Sequence, residues 1–154
     1  MPSAWRIVRA ARANSAFTGE GGRVYGGRWN SQGTAVVYVS QHESLAALEL
    51  FVHTMPLSPT GRYLSFRLEW SDKLTEYFPL KNLPPHWNAE PPTFETMRIG
   101  DDWVRRASSV ALAVPSVLST SEINFLLNPR HSDFKKIKIS EPIEYRFDSR
   151  LLNR

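Results

Sequence analysis

GGRWNSQGTAVVYVSQHESLAALE, residues 26–49, is the stretch from which the fold can be read. Asn30-Ser-Gln-Gly33 is a turn signal and residues 35–39 are a β-rich apolar run, so the segment predicts a hairpin with Arg28 on its first arm. A guanidinium fixed by ladder hydrogen bonds is a rigid fork for a phosphate or a carboxylate, and the two glycines before it let a ligand sit close. The plain alternative is an arginine salt-bridged on a sheet surface. Tyr38 falls near the end of the run, on the same face as Val36. Ser40-Gln-His-Glu43 reads as a capping box that opens a helix. Leu45, Leu48 and Val52 make an i, i+3, i+7 apolar stripe on that helix, and Glu49 interrupts it. An ionised carboxylate facing a core is costly without partners, so Glu49 either pairs with Arg28 or Arg6 or lines a pocket. The helix is expected to stop before Pro56.

Around this stretch the chain is ordinary in bulk. Its 154 residues predict one domain, with 42% hydrophobic and 22% charged residues. No apolar run approaches the roughly 20 residues of a membrane span, and the N-terminus lacks the apolar run of a signal peptide. Cysteine is absent, which excludes disulfides, thiolate metal sites and a cysteine nucleophile. His42, His53, His86 and His131 show no metal-ligand spacing. These features predict a cytoplasmic protein without a metal. The net charge of +4 is spread along the chain, which fits a solvated surface better than a nucleic-acid footprint, and an anionic small ligand or an acidic protein partner fits it equally well.

Outward from the centre, residues 5–8 are a short apolar stretch in which Arg6 is expected to point inward if the segment is extended. Residues 16–22, AFTGEGG, carry three glycines in four positions and predict a loop, matching neither a P-loop nor a dinucleotide fingerprint. Residues 61–70 alternate as a half-buried strand. Five prolines between Pro79 and Pro92 predict a proline-rich loop, about 77–93, with Trp87 exposed and lying over the domain. Residues 93–106 predict a helix, on which Asp101 and Asp102 do not share a face. Residues 109–114 form a further apolar strand, and Ser116 just after it can reach a ligand. No His/Asp arrangement accompanies it, so it is not read as a hydrolase nucleophile. An apolar segment ending in Asn128-Pro129 and short strands near 137–139 and 143–147 complete the chain.

In this order the blocks resemble the RES-domain family, the toxins of RES–Xre toxin–antitoxin modules. The matching pieces are WRIVRA (5–10), AFTGEGG (16–22), GGRWN (26–30), VVYVS (36–40), LAALEL (45–50), VPS (114–116) and NFLLNPRH (124–131). The resemblance spans residues 4–151, and the order of seven blocks gives it its specificity. It implies an α+β fold similar to ADP-ribosyltransferase toxins, with a split, mixed sheet in a single domain covering 1–154. It also implies that NAD is a substrate, not a cofactor, degraded by hydrolysis or phosphorolysis of the nicotinamide–ribose bond. The family's arginine, glutamate and serine are placed at Arg28, Glu49 and Ser116, with Ser119 and Ser121 as near alternatives for the serine. The family's tyrosine matches Tyr38.

On this resemblance Arg28 and Arg6 are expected to bind the pyrophosphate, and Glu49 to hold the ribose and offset an oxocarbenium-like charge. Tyr38 walls the nicotinamide side, Ser116 orients Glu49 or the ligand, and Asn128 belongs to the NAD-contacting set. The implied partner is an Xre-type antitoxin, through which alone the toxin meets operator DNA. The rival readings are a mono-ADP-ribosyltransferase acting on a cell protein and a nucleotide-binding module without chemistry.

Overall fold

A computed structural model describes residues 1–54, 57–58 and 60–152. Eight strands lie in one mixed sheet: β1 (Ser3–Arg9), β2 (Val37–Ser40), β3 (Tyr63–Glu69), β4 (Thr75–Tyr77), β5 (Ala111–Pro115), β6 (Ile123–Leu127), β7 (Lys138–Ile139) and β8 (Ile143–Tyr145). The order is β4-β5-β6-β2-β1-β3-β7, with β8 also paired to β3. Among the described residues only β4 and β5 run parallel. The helices are α1 (Glu20–Tyr25), α2 (Glu43–His53), α3 (Phe94–Arg106) and the short α4 (Ser149–Leu152). The α+β class and mixed sheet expected from the resemblance are what the chain adopts.

Strand alternation explains the layering. One face of the sheet carries Ala4, Val8, Val37, Val39, Phe66, Leu68, Ala111, Ala113, Phe125 and Leu127 around Trp70. On the other face, Leu112, Val114 and Leu126 meet Trp29 and Trp103 under α3. Ile7 and Tyr63 meet Ala46 and Ala47 of α2 there. Because both faces are covered, Tyr63 and Ser65 of β3 are buried, where the sequence predicts a strand buried on one side. Fully burying Trp70 and Trp103 is worth roughly 4–6 kcal/mol each by area, an upper bound. Each indole N–H finds a hydroxyl, at Thr75 and Ser109.

The sheet opens between β1 and β2. These strands share a single registered pair, Trp5↔Ser40, whereas β1 and β3 pair at seven positions. At the Ser40 end, where the two strands still meet, the ends of β2 and β5, the start of β6 and the first residues of α2 lie together.

Four local expectations fail. Residues 20–25 form α1 despite Gly21 and Gly22. A Cβ on Gly22 would come within 2.5 Å of the Val36 carbonyl oxygen, so close packing on the chain that leads into β2 requires glycine there. The hairpin is absent: Gly27 and Asn30 make an isolated bridge, and β2 pairs with β1 and β6 instead. Arg28 therefore sits in a tight turn. The capping box does not form either, because Ser40 Oγ donates to Asn124 Oδ1 and Glu43 accepts from Ser65. His42 is the N-cap, without a side-chain bond. On α2 the buried residues are Leu45, Ala46 and Ala47, while Leu48 and Val52 of the predicted stripe are exposed. The helix ends at His53; Pro56 lies outside the described residues.

Candidate functional site

Glu49 is a carboxylate of α2 that opens to solvent over the ends of β2, β5 and β6, its side chain 23% exposed. Its Oε1 accepts from Ser116 Oγ at 3.0 Å and from Asn124 Nδ2 at 2.7 Å. Its Oε2 lies 3.5 Å from His53 Nε2, one helical turn further along α2. The backbone builds this arrangement. Ser116 follows β5 directly, Asn124 is in β6 and paired with Val114, and Ser40 closes β2 beside Asn124. The three side chains thus stand at the same end of adjacent strands, and α2 starts three residues after β2 to bring Glu49 over them. Gln41 extends the ladder, donating its N–H to Ile123 O and accepting from Ile123 N through Oε1.

The hydrogen bonds are directional. Ser116 is wholly buried, and its Oγ accepts from the N–H groups of Leu118 and Ser119, which aims the hydroxyl proton at Glu49. Asn124 is oriented in the same way by Ser40. Burial works to raise the Glu49 pKa, but the bonds from His53, Asn124 and Ser116 outweigh it and hold the carboxyl below its usual range. His53 is raised by its bond to Glu49 against a smaller opposing effect of burial.

The expected Glu49–arginine pair is not made. Arg28 donates from Nη1 to the carbonyls of Trp87 and Ala89, at 3.0 and 2.6 Å, and from Nη2 to Glu90 at 3.2 Å. The proline-rich loop is strapped onto the Arg28 turn, and Trp87 is half-buried against Trp29 instead of exposed. Arg6 spans the split, donating from Nε to Ala16 O at 2.7 Å and from Nη1 to Tyr38 O at 2.9 Å. Among the described residues no carboxylate forms an ion pair with it, and burial lowers its pKa to about 10.

Tyr38 places its ring in the core under α3. Its hydroxyl donates to Asn30 Oδ1 at 2.5 Å and accepts from Trp29 N, and burial, the largest influence, pushes its pKa upward. Wholly buried Asn30 also donates to Gly22 O and Thr34 O. Tyr38 and Asn30 together pin the Arg28 turn. Gly100 of α3 lies directly on it: a Cβ there would be 1.6 Å from Trp29 O.

The structure therefore brings Ser116 to Glu49, places Arg6 in the split one strand away, and ties Arg28 to residues 87–90. Ser119 reaches Ser116 only through its backbone N–H. Asn128 lies elsewhere, beyond the far end of β6 from Asn124. It caps the following turn by accepting from Arg130 N and bonds Val110 O through its own N–H. Sequence reasoning passed over Asn124, His53, Asn30 and Glu90. Only His53 left a signal, a Glu–His pair at i, i+4. Among the described residues no three His, Asp or Glu side chains gather to hold a metal ion, and no helix is long and apolar enough to cross a membrane.

A split-sheet α+β domain with a hydrogen-bonded, solvent-facing glutamate on α2 and a partly buried arginine bridging β1 and β2 defines the class. The chain belongs to the RES domain family, whose model matches residues 3–148. It is 38% identical over 148 residues to a protein named Toxin Res from Yersinia enterocolitica, covering 96% of this chain and 97% of that one. A protein named Prs ADP-ribosylating toxin, from a Sphingobium species, is 36% identical over 158 residues, covering 99% and 98%. The fold is also similar to that in the crystal structure of the M. tuberculosis MbcT-MbcA toxin-antitoxin complex. The TM-score is 0.72 at 15% identity, covering 93% of this chain and 83% of that one.

Proposed function

We propose that this chain is the toxin of a toxin–antitoxin module and that it breaks the nicotinamide–ribose bond of NAD. The observation that carries this reading is the ionised Glu49, locked through Oε1 by Ser116 and Asn124, with Oε2 at the opening. Cleavage releases the bonding pair to the pyridine nitrogen, so nicotinamide leaves neutral and no general acid is required. Positive charge develops on the ribose. A preorganised carboxylate stabilises that charge and accepts from the ribose hydroxyls, as in glycoside hydrolysis.

The anionic half of NAD needs a cation, and Arg6 supplies one that no carboxylate of the described residues neutralises. Arg28 joins it only if residues 87–90 release its guanidinium, because its Nη atoms are engaged there. Tyr38 supports the wall of the site through its ring and the Arg28 turn through its hydroxyl. Ser116 and Asn124 fix the carboxylate. The acceptor at the ribose carbon is water or phosphate; it bonds through oxygen and passes its proton to solvent.

The exposed apolar residues Leu48 and Val52, beside Glu49, and Leu118, beside Ser116, support an antitoxin that covers this opening. An Xre-type protein is the partner we propose. A second reading, transfer of ADP-ribose to a protein, is favoured by the name of the Sphingobium relative. Expression of the wild-type chain and of Glu49→Gln in bacteria tests the proposal: the first should arrest growth and empty the NAD pool, the second do neither. A stably folded Glu49→Gln protein that depletes NAD like the wild type would overturn it.

A further inference from the structure

We propose that His53 is a positioning residue of this site: its imidazolium, one turn after Glu49 on α2, holds Oε2 toward the opening while Ser116 and Asn124 hold Oε1. The inference rests on the NAD-cleavage reading and deepens it.

Each carboxylate oxygen of Glu49 has its own set of partners. Oε1 is saturated by two donors at 3.0 and 2.7 Å, and both are held from behind, by backbone N–H groups and by Ser40. Oε2 has His53 Nε2 at 3.5 Å as its protein partner among the described residues. The Glu49 side chain is 23% exposed and that of His53 is 72% exposed, so this oxygen is the one a ribose hydroxyl can reach. An i, i+4 pair on one helix face is geometrically matched. The charges that reach His53 are Glu49 on its own helix, Glu90 on the proline-rich loop and Arg28 on the turn that this loop straps. Glu49 and Glu90 favour the imidazolium and Arg28 opposes it. With His53 neutral, the four groups carry one net negative charge beside an anionic substrate; with His53 protonated they balance.

The sign follows directly. The ion pair with Glu49 is present below the His53 pKa, which lies above its ordinary value, and is lost as pH rises through it. Glu49 stays ionised throughout that range. Turnover therefore has an alkaline limb that belongs to His53.

The test measures nicotinamide release from NAD between pH 5 and 9 for the wild type, His53→Ala and His53→Lys, together with an NMR titration of the His53 ring in wild type and Glu49→Gln. We expect His53→Ala to lower kcat about 10- to 100-fold with little change in KM, the size of a misplaced catalytic group. His53→Lys should restore much of kcat and move the alkaline limb upward. The ring should titrate lower in Glu49→Gln than in the wild type. Wild-type kcat and an unchanged alkaline limb in folded His53→Ala would overturn the inference alone. So would a His53 titration indifferent to Glu49→Gln. A wild-type chain that releases no nicotinamide at any pH overturns the NAD reading instead, and the titration still decides whether the clamp exists.

Discussion

Asn124→Asp exchanges one heavy atom, the amide nitrogen for a carboxylate oxygen, without changing the shape of the side chain. Asn124 Nδ2 donates to Glu49 Oε1 at 2.7 Å, and its Oδ1 accepts from Ser40 at 2.7 Å. Aspartate keeps the acceptor for Ser40 and replaces the donor with a second anion facing Glu49. Two unit charges about 4 Å apart repel by roughly 4 kcal/mol at an effective dielectric near 20, and by about 1 kcal/mol in water. Glu49 lies between those limits, so about 2–3 kcal/mol is a working figure, equal to roughly two pH units. The pair then shares a proton and titrates as a unit. Nicotinamide release by Asn124→Asp should fall steeply near pH 6 relative to the wild type, with its acid limb about two units higher and recovery only as far as the alkaline limb set by His53. Stability should invert as well. The wild-type Glu49 pKa is depressed, so its contribution is lost as pH falls. The raised pair in the variant is favoured at low pH and loses stability as pH rises through its folded pKa. A folded Asn124→Asp protein with the wild-type acid limb would refute the claim that Asn124 tunes Glu49.

Further perturbations test the supports of the site. Gly100→Ala puts a Cβ 1.6 Å from Trp29 O, so backbone must move; it should cost about 3 kcal/mol or more, and a melting curve at wild-type values would contradict the packing of α3 on the Arg28 turn. Tyr38→Phe removes the donor to Asn30 and the acceptor of Trp29 N. It should lower stability by about 2 kcal/mol, roughly 4–8 °C in Tm, read by calorimetry. Arg28→Ala cuts three hydrogen bonds to residues 87–90, so amide exchange and proteolysis should accelerate in that loop while the sheet stays protected.

Legibility in the sequence followed the range of the interactions. Strands β3 and β5 and helix α3 announce themselves by short-range apolar patterning, a local property, whereas β6 showed only as an apolar segment. Glu49 also stood out locally, as a carboxylate on an apolar stripe, and Ser116 as a serine just past a strand. What failed depended on contacts across the chain. Arg28 looked like a strand residue because the NSQG turn normally closes a hairpin, but β2 was claimed by β1 and β6. Ser40 looked like a cap until Asn124, 84 residues away, took its hydroxyl. Gly21 and Gly22 looked like a loop because close approach to Val36 is invisible without the fold. Asn124 itself lay inside an apolar segment and gave no sign that its amide would face Glu49.

The most direct test of the account is to incubate the purified chain with NAD, with and without phosphate, and to identify the products by mass. The account predicts nicotinamide in every case, with ADP-ribose from water or a phosphorylated ADP-ribose when phosphate is the acceptor, and neither product from Glu49→Gln. NAD that survives intact alone, with phosphate, and with a cell lysate offered as protein acceptor would contradict it.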